Sequence, residues 1–270
     1  MTDFPDVNIE LDAPAVRRVF AEFIRNELEQ TGFKKVIIGL SGGLDSSLAC
    51  ALVVEALGAE NVVGIRMPYT TSSPESMEHA HLIIQSTGIR SLTIPIEDMV
   101  DPLIRMFPEM NSLRKGNIMA RMRMIVLFDQ SAANDALVVG TGNKTEILLG
   151  YSTLYGDAAC AFNPIGDLYK TQVRLLAKEM GIPDVILAKP PSADLWVGQT
   201  DEAELGFKYA EVDQLLYLLV DKHKTPAECE QMGFQREYIE RVLNRIRQYR
   251  FKRLMPPIAR ITDGDAGLNL

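Results

Sequence analysis

Cysteine is scarce in this sequence: Cys50, Cys160 and Cys229 are its only thiols, and none belongs to a CxxC pair or stands at metal-ligand spacing from a histidine. This scarcity favours reduced, mostly buried thiols over a disulfide framework or a zinc site. Long apolar runs are missing as well, since no stretch approaches the roughly 18 residues needed to cross a bilayer. Residues 1–12 are acidic and polar, unlike a signal or transit peptide. These absences predict a cytoplasmic protein that does not enter a membrane.

Positive charge is also in short supply. The chain has 28 Lys and Arg against 36 Asp and Glu, which gives a formal net charge of -8. Nonspecific binding to nucleic acid depends on many cations that neutralise phosphates, so this balance argues against a nucleic-acid partner. It leaves room for a nucleotide ligand, because a few positioned cations are enough to bind one.

Short β-branched segments alternate with amphipathic ones over the first half of the chain. The predicted strands are residues 35–40, 61–67, 92–96 and 136–140. The predicted helices are residues 13–30, 46–57, 74–87, 117–133, 171–180, 211–220 and 236–250. Strands that are β-branched throughout, without a polar–apolar alternation, and that alternate with helices, indicate a parallel sheet buried on both faces. We therefore predict a doubly wound, mostly parallel α/β fold with a helical C-terminal part.

The length of 270 residues suits one sizeable domain. We expect a single domain over residues 1–270, with a nucleotide-binding α/β core at about 13–170 and C-terminal helices at about 209–260. The methionine-rich stretch 99–124 is more typical of an adaptable core than of a functional site, so we predict that it is core.

A glycine-rich turn follows the first predicted strand and leads directly into a helix. Residues 39–47 read GLSGGLDSS. Paired glycines let the backbone present N–H groups closely, and a helix N-terminus adds its positive dipole end, so together they favour phosphate. The turn lacks the lysine of a Walker A loop and the GxGxxG spacing of a dinucleotide fingerprint. An ordinary Ser/Gly turn is the alternative, but a full SGGLDS at a strand–helix junction makes it improbable.

The segment SGGLDS resembles the PP-loop of the ATP pyrophosphatases, which cleave ATP between its α and β phosphates and transfer AMP to an oxygen atom. The resemblance implies a Rossmann-like fold of the adenine nucleotide alpha hydrolase type. It also implies that Asp45 is a ligand of Mg²⁺, since a carboxylate aimed into a phosphate site needs a cation between them.

Further segments resemble, in order, those of the ammonia-dependent NAD synthetases. They are RKGNIMARMR at 114–123, GTGNKTE at 140–146, YGD at 155–157, NPIGDLYK at 163–170, and PSAD through QTDE at 191–202. The resemblance covers about residues 13–260. It implies an ATP-dependent ligase that adenylates the carboxylate of deamido-NAD, releasing pyrophosphate, and then joins it to ammonia, releasing AMP. It also implies a homodimer with the dinucleotide at the subunit interface.

The resemblance assigns roles to individual residues. It implies ATP contacts for Gly39, Leu40, Ser41, Gly42, Gly43, Leu44, Asp45, Ser46, Thr141, Lys170 and Ser192. Glu146 becomes a second magnesium ligand, and Lys170 a catalytic cation that offsets charge during adenylyl transfer. Asp157 becomes a catalytic base or positioning group for ammonia, although an ordinary turn residue is an equal interpretation. Arg121 is implied to hold the dinucleotide, whereas Arg123 alone fits a solvated helix face.

Three positions depart from many members of the family. Leu154 stands where they carry Lys, Ala161 where they carry Asp, and Phe251, before Lys252, where they carry His. In the family these positions contact the acceptor, so an NMN synthetase, which amidates nicotinate mononucleotide, stays open as an alternative. Another PP-loop ligase or tRNA-modifying enzyme, and a non-catalytic nucleotide-binding protein on this fold, also stay open.

Residues 188–208 are long and poor in periodic signal for a connection inside a domain, a property typical of functional loops. We predict a lid that orders over the active site and keeps water from the adenylate. For the apolar helical segment 119–128, a subunit interface and a buried position within the chain are equally compatible with the sequence.

Overall fold

The computed structural model describes residues 4–196 and 198–259. Its parallel sheet contains β1 (Lys35–Gly39), β2 (Val62–Arg66), β3 (Arg90–Thr93) and β4 (Ala136–Val139). The strand order is β3-β2-β1-β4, so the chain reverses direction across the sheet between β1 and β4. This confirms the predicted fold class.

Helices connect the strands and form the C-terminal part. They are α1 (Ala13–Thr31), α2 (Leu44–Leu57), α3 (Pro74–Thr87), α4 (Glu97–Met106), α5 (Ser112–Ala133), α6 (Lys144–Leu149), α7 (Lys170–Glu179), α8 (Asp184–Ala188), α9 (Asp201–Leu205), α10 (Tyr209–Leu216), α11 (Pro226–Gln231) and α12 (Arg236–Gln248). A π-helical turn, Tyr217–Asp221, continues α10, and a 3-10 turn, Arg250–Arg253, follows α12. None of the helices in the described ranges is long and apolar enough to span a membrane.

Helices cover both faces of the sheet. On one face α1, α2 and α7 pack around buried side chains such as Ile24, Leu48 and Leu176. On the other face α4 and α5 pack on the strands through Val100, Met119 and their neighbours. A separate apolar cluster joins α10, α11 and α12 to the end of α6. The C-terminal helices therefore rest on α6 and α7, which begin at the edge of the sheet where the strands end.

Most of the predicted elements are present, and the differences have local causes. The third strand begins at Arg90 and leaves the ladder after Thr93, two to three residues earlier than the sequence indicates. It is an edge strand with exposed Leu92 and Thr93, so the expectation of burial on both faces is wrong for it. The helix α4 was not predicted, because Pro102 lies inside it.

The methionine-rich stretch is core only in part. Met110 and Met119 are buried, but Met106 is 70% exposed and Met99 also lies at the surface. The core prediction is therefore wrong for these two side chains, which α4 turns outward. Within the predicted interface segment, Met119 and Val126 point into the chain while Ile125 and Phe128 are exposed. The helix α5 thus has both a buried and a free apolar face.

Candidate active site

The glycine-rich turn lies between the end of β1 and the start of α2. Ser41 Oγ is 3.0 Å from Ser46 Oγ and accepts a hydrogen bond from the Gly43 N–H. The hydroxyls of Ser46 and Ser47 donate to the Gly43 carbonyl at 3.1 and 2.8 Å. Side chains of the turn thus hold its own backbone in place, at the carboxyl end of the sheet where open α/β folds bind ligands.

Gly42 has a φ of +73°, and its backbone packs against the first turn of α3. A Cβ at this position would lie 2.0 Å from the Ser76 carbonyl oxygen. Both the conformation and the contact exclude any residue with a side chain unless the turn moves. The glycine therefore fixes the turn against α3.

Three charged side chains from separate elements meet beside this turn. Asp45 comes from the first turn of α2, Glu146 from α6 and Lys170 from the start of α7. The ammonium of Lys170 is paired with the Asp45 carboxylate and lies 3.7 Å from Glu146 Oε1. Predicted metal-ligand and catalytic residues are thus brought together.

Asn143 organises the two carboxylates. Its side-chain amide donates to Asp45 Oδ1 at 2.9 Å, and its side-chain oxygen accepts from the Glu146 N–H at 3.0 Å. Glu146 Oε2 in turn accepts a hydrogen bond from the Asn143 N–H at 3.1 Å. This pair of bonds forms a capping box at the start of α6. The sequence reasoning assigned no role to Asn143, although the N-x-x-E spacing was a signal for this cap.

Burial and charge strongly perturb this cluster. Burial, and then the nearby Asp45 carboxylate, raise the pKa of Glu146 to about 8. Burial alone would lower the pKa of Lys170, but the carboxylates of Asp45 and Glu146 outweigh it and raise that pKa. Lys170 therefore stays an ammonium. A second cation beside Glu146, in addition to Lys170, is needed to keep that carboxyl ionised at neutral pH.

A further buried carboxylate, Asp201 of α9, faces the same cluster. It accepts a hydrogen bond from the Tyr151 hydroxyl at 2.9 Å, and the Tyr209 hydroxyl lies 3.4 Å away. Burial raises the pKa of Asp201. The Lys170 ammonium lies 5.4 Å from the centre of the Tyr209 ring. The sequence analysis gave these side chains no role: Asp201 lies within the QTDE segment, and no quoted motif contains Tyr151 or Tyr209.

The segment around Ser192 is attached to α3. Ser192 Oγ accepts from the Asp194 N–H at 3.1 Å. Asp194 Oδ2 in turn accepts from the Ser73 N–H at 3.0 Å and from the Ser76 hydroxyl at 2.7 Å. Because Ser76 also contacts Gly42, the predicted lid residues and the glycine-rich turn meet at one helix N-terminus. Thr141 lies half-exposed just after β4, at the same edge of the sheet.

The turn 153–157 is held against α5. The guanidinium of Arg121 donates to the Leu154 carbonyl at 3.2 Å, and Asp157 Oδ1 accepts from the Thr153 N–H at 2.8 Å. The Thr153 hydroxyl donates to Asn117 Oδ1 at 2.8 Å. Three of the predicted acceptor or ammonia positions are thus neighbours in space.

Arg123 is not a solvated residue. Its guanidinium Nε donates to the Met67 carbonyl at 3.1 Å, and burial lowers its pKa. The interpretation as a solvated helix face is therefore wrong, because α5 turns this side chain towards the end of β2.

The remaining acceptor positions are spread out. Ala161 is exposed and donates its N–H to the Val138 carbonyl at 2.8 Å, which attaches its segment to β4. Phe251 is exposed, while the Lys252 ammonium donates to the Gly150 carbonyl at 2.8 Å. Burial lowers the pKa of Lys252. The structure joins Lys252 to the Gly150–Ser152 backbone.

Cations from the C-terminal end satisfy the carbonyl groups that end α6. Arg245 donates to the Leu149 carbonyl at 3.0 Å and Arg253 to the Leu148 carbonyl at 2.6 Å. Lys252 provides the next bond, to Gly150. Positive groups at a helix C-terminus stabilise its free carbonyls and dipole. The C-terminal end of α6, the helix that begins at the Asn143–Glu146 capping box, is thus held by residues about 100 positions later in the sequence.

Comparisons with known proteins agree with this geometry. A model of the NAD synthase family matches residues 16–256. The NH3-dependent NAD+ synthetase of Trichlorobacter lovleyi is 51% identical over 254 residues, which cover 94% of this chain and 93% of that protein.

Two solved structures have the same fold. The NMN synthetase of Francisella tularensis superposes with a TM-score of 0.82 at 29% identity, covering 93% of this chain and 99% of that one. The NH3-dependent NAD synthetase of Campylobacter jejuni gives 0.79 at 32% identity, covering 93% and 100%. The resemblance inferred from the sequence motifs is confirmed, and this chain belongs to the NAD synthase family.

Proposed function

We propose that this chain converts deamido-NAD to NAD, using ATP and ammonia. It is a ligase that forms a C–N bond. The observation that carries the proposal is the cluster of Asp45, Glu146 and Lys170 beside the glycine-rich turn, in a chain of this family. The carboxylate of deamido-NAD attacks the α-phosphate of ATP and displaces pyrophosphate. Ammonia then attacks the activated carbonyl carbon and AMP leaves.

The glycine-rich turn is the proposed site of the ATP phosphates. Residues 39–46 offer backbone N–H groups and the hydroxyls of Ser41 and Ser46, with Thr141 and Ser192 as further contacts. Lys170 is proposed to approach the phosphate oxygens and offset the negative charge that builds up during adenylyl transfer. Its raised pKa supports this role, because the group stays protonated whenever the carboxylates beside it are ionised.

Asp45 and Glu146 are the proposed ligands of Mg²⁺, and their chemistry fits that ion. Mg²⁺ usually takes one or two protein carboxylates and completes its shell with phosphate oxygens and water. In the described part of the chain no group of three or more acidic, His or Cys side chains is arranged to hold a metal by itself. When bound, the ion would offset the charge of the phosphates. It would also offset the burial and the repulsion by Asp45 that together raise the pKa of Glu146 to about 8.

The acceptor is proposed to lie along the turn 153–157 and α5. Arg121 is the proposed contact to the dinucleotide, with Leu154, Ala161 and Phe251 as further proposed contacts. Lys252 belongs to this group through its bond to the Gly150 carbonyl. The greater similarity to an NAD synthetase (51%) than to an NMN synthetase (29%) supports the dinucleotide over the mononucleotide.

Asp157 is the proposed base or positioning group for ammonia. Its carboxylate is fixed by the Thr153 N–H and lies on the same turn as Leu154. Ammonium must lose a proton before it attacks a carbonyl, so an acceptor at this turn is chemically useful. We propose free ammonia as the nitrogen donor and the cytoplasm as the location.

The experiment that tests the function offers two acceptors. Purified protein is incubated with ATP, Mg²⁺ and ammonium, with deamido-NAD in one reaction and nicotinate mononucleotide in the other, and AMP and amidated product are measured. Formation of AMP and NAD from the first acceptor is expected. Product mainly from the second would identify an NMN synthetase. Product from neither would contradict the ligase proposal and favour a nucleotide-binding role.

A homodimer is proposed through the free apolar face of α4 and α5. Its exposed side chains are Leu103, Met106, Phe107, Leu113, Ile125 and Phe128. Several large exposed apolar side chains on two packed helices are typical of subunit interfaces. Ile125→Asp should convert the dimer to a monomer in size-exclusion chromatography with light scattering. Leu175→Asp, at an equally exposed leucine of α7, should leave the mass unchanged.

Residues 188–208 are proposed to act as an active-site lid, and residues 1–270 to form a single domain. Val197 of the lid and residues 1–3 and 260–270 of the domain lie outside the described residues. The bonds from Asp194 to α3 support a closed position against the glycine-rich turn. The bond from the Asp201 N–H to the Pro191 carbonyl, 3.0 Å long, closes the segment on itself.

A further inference from the structure

A buried series of hydrogen bonds lies behind the charged cluster and begins on a C-terminal helix. Asp213 of α10 is fully buried. Its Oδ1 accepts from the Thr145 hydroxyl at 2.6 Å, and its Oδ2 accepts from the Thr171 N–H at 2.8 Å. The oxygen of the Thr145 hydroxyl in turn accepts from the Lys170 N–H at 3.0 Å. Three distant segments of the chain are thus joined by one carboxylate.

These bonds satisfy the first N–H groups of α7. The N–H groups of a first helical turn have no partner within the helix and need acceptors from elsewhere. Here the N–H groups of Lys170 and Thr171 find them on Thr145 and Asp213. A carboxylate is also favoured at this end by the helix dipole. The backbone that carries Lys170 is therefore held by side chains 25 and 42 residues away in the sequence.

The same hydroxyl also fixes the distance between two functional helices. Thr145 precedes Glu146 in α6, and its oxygen bonds to the residue that carries the catalytic ammonium. Loosening this bond would let α7 shift relative to α6, and Lys170 Nζ would leave its place 3.7 Å from Glu146 Oε1. We propose that Asp213 and Thr145 are positioning residues for Lys170, through which the C-terminal helices set the geometry of adenylyl transfer.

An ordinary helix cap would look different. At α11 the cap comes from the adjacent residue, where Thr225 Oγ1 accepts from the Glu228 N–H at 3.2 Å on the surface. That cap is local and α11 contributes no side chain to the site. At α7 the residue before the helix is Tyr169, and the acceptors come from α6 and α10 instead. Remote, buried acceptors fix the position of a helix relative to its neighbours as well as its first turn.

The inference rests on the proposed catalytic role of Lys170. The test distinguishes a failure of that role from a failure of the positioning role of Thr145 and Asp213. Thr145→Val removes the hydroxyl with little change in volume, and Thr145→Ser restores it. Thr225→Val is the matched control, because it removes a cap by the same substitution away from the site. Each variant is made in the natural sequence, and Thr145→Val also in a Lys170→Met background. The measurements are kcat, the KM values for ATP and deamido-NAD, and the melting temperature.

Thr145→Val should lower kcat by about 10- to 100-fold with KM values nearly unchanged, since a catalytic group displaced by about 1 Å loses an interaction made in the transition state. Thr145→Ser should recover most of the rate. Thr225→Val should lower only the melting temperature. In the Lys170→Met background, Thr145→Val should have no further effect on kcat, because the ammonium that Thr145 positions is absent.

Other results would overturn the inference. If Thr145→Val had the kcat of the unaltered enzyme, or if Thr225→Val lost as much kcat, the bonds of Thr145 and Asp213 would only stabilise the start of α7. An equal loss of kcat with and without Lys170 would show that Thr145 acts by another route. Full activity of Lys170→Met would instead refute the role of Lys170 itself. If Thr145→Val fails to fold, Asp213→Asn replaces it, because the amide keeps the size of the side chain but can accept from only one of the two donors.

Discussion

Replacing Gly42 with alanine tests whether the glycine-rich turn is the phosphate site. The residue has a φ of +73°, and the new Cβ would lie 2.0 Å from the Ser76 carbonyl oxygen. Ordinary contact begins at 3.4 Å, so the turn and α3 must separate by ~1.4 Å. The obstacle is backbone on both sides, and no side-chain rotation can relieve it.

The size of the effect follows from two separate costs. A left-handed conformation costs an L-residue about 1–2 kcal/mol and lowers stability. Displacing the turn by about 1 Å moves its N–H groups away from the phosphates, and such a displacement costs on the order of 100-fold in rate. This corresponds to about 2.7 kcal/mol of transition-state stabilisation. We expect kcat/KM for ATP to fall by about 100-fold.

Gly88 provides the matched control on the same helix. It ends α3 with a φ of +69°, and a Cβ there would meet nothing within 4 Å. Gly88→Ala therefore carries the conformational cost without the collision. The assay follows AMP release at saturating deamido-NAD and ammonium while ATP is varied, and the melting temperature of each variant is measured in parallel.

The comparison of the two variants decides the question. Both should lose the stability that the left-handed conformation costs, and Gly42→Ala more because of the collision, but only Gly42→Ala should lose activity. If Gly42→Ala retained the kcat/KM of Gly88→Ala, the turn would not bind the phosphates in the conformation described, and the reasoning from the Ser76 contact would be refuted.

Three further changes have defined outcomes. Asp45→Asn should abolish AMP formation while Asp184→Asn, at an exposed site on α8, should not, and substantial residual turnover in Asp45→Asn would refute its metal role. Asp194→Ala removes the acceptor of two bonds to α3, so chymotrypsin, which can cleave after Trp196, should cut residues 188–208 faster and ATP should protect them less; an unchanged rate of cleavage would contradict the lid. Burial raises the pKa of Asp213 to about 6. Its contribution to stability is then full below about pH 4 and is lost as the pH rises through 6, a change of about 3 kcal/mol. The difference in unfolding free energy between the natural protein and Asp213→Asn, measured with urea, should decline over that range, and a constant difference would contradict the shift.

The sheet could be predicted because its information is local. Continuous runs such as 36–40 have no polar residue to place on a solvated face, so they indicate buried parallel strands. The SGGLDS turn is equally local, since the glycines, the helix start and the acidic residue all lie within six positions. The helix α4 was missed for a local reason too, because Pro102 normally interrupts a helix.

The inner part of the site could not be predicted in the same way. Asn143, Asp201 and Asp213 matter through contacts with residues far away in the sequence. The N-x-x-E spacing marks Asn143 as a helix cap, but only tertiary packing brings it to Asp45. Asp213 did leave one signal: it is a charged residue among Val212, Leu215 and Leu216 of an apolar helix, where a carboxylate needs a buried partner. The sequence shows that such a partner must exist and does not identify it.

The cations that end α6 have a consequence for the order in which the molecule is completed during synthesis. All four described strands have been synthesised once Val139 is added, and an N-terminal unit can begin to fold when these residues have left the ribosome. The helix that carries Glu146 acquires its last partners only when Arg245, Lys252 and Arg253 follow, about 100 residues later. A nascent or truncated chain that stops before residue 245 would therefore hold a formed sheet with an unfinished site. We expect activity to appear abruptly with the final helical turn rather than to grow with chain length.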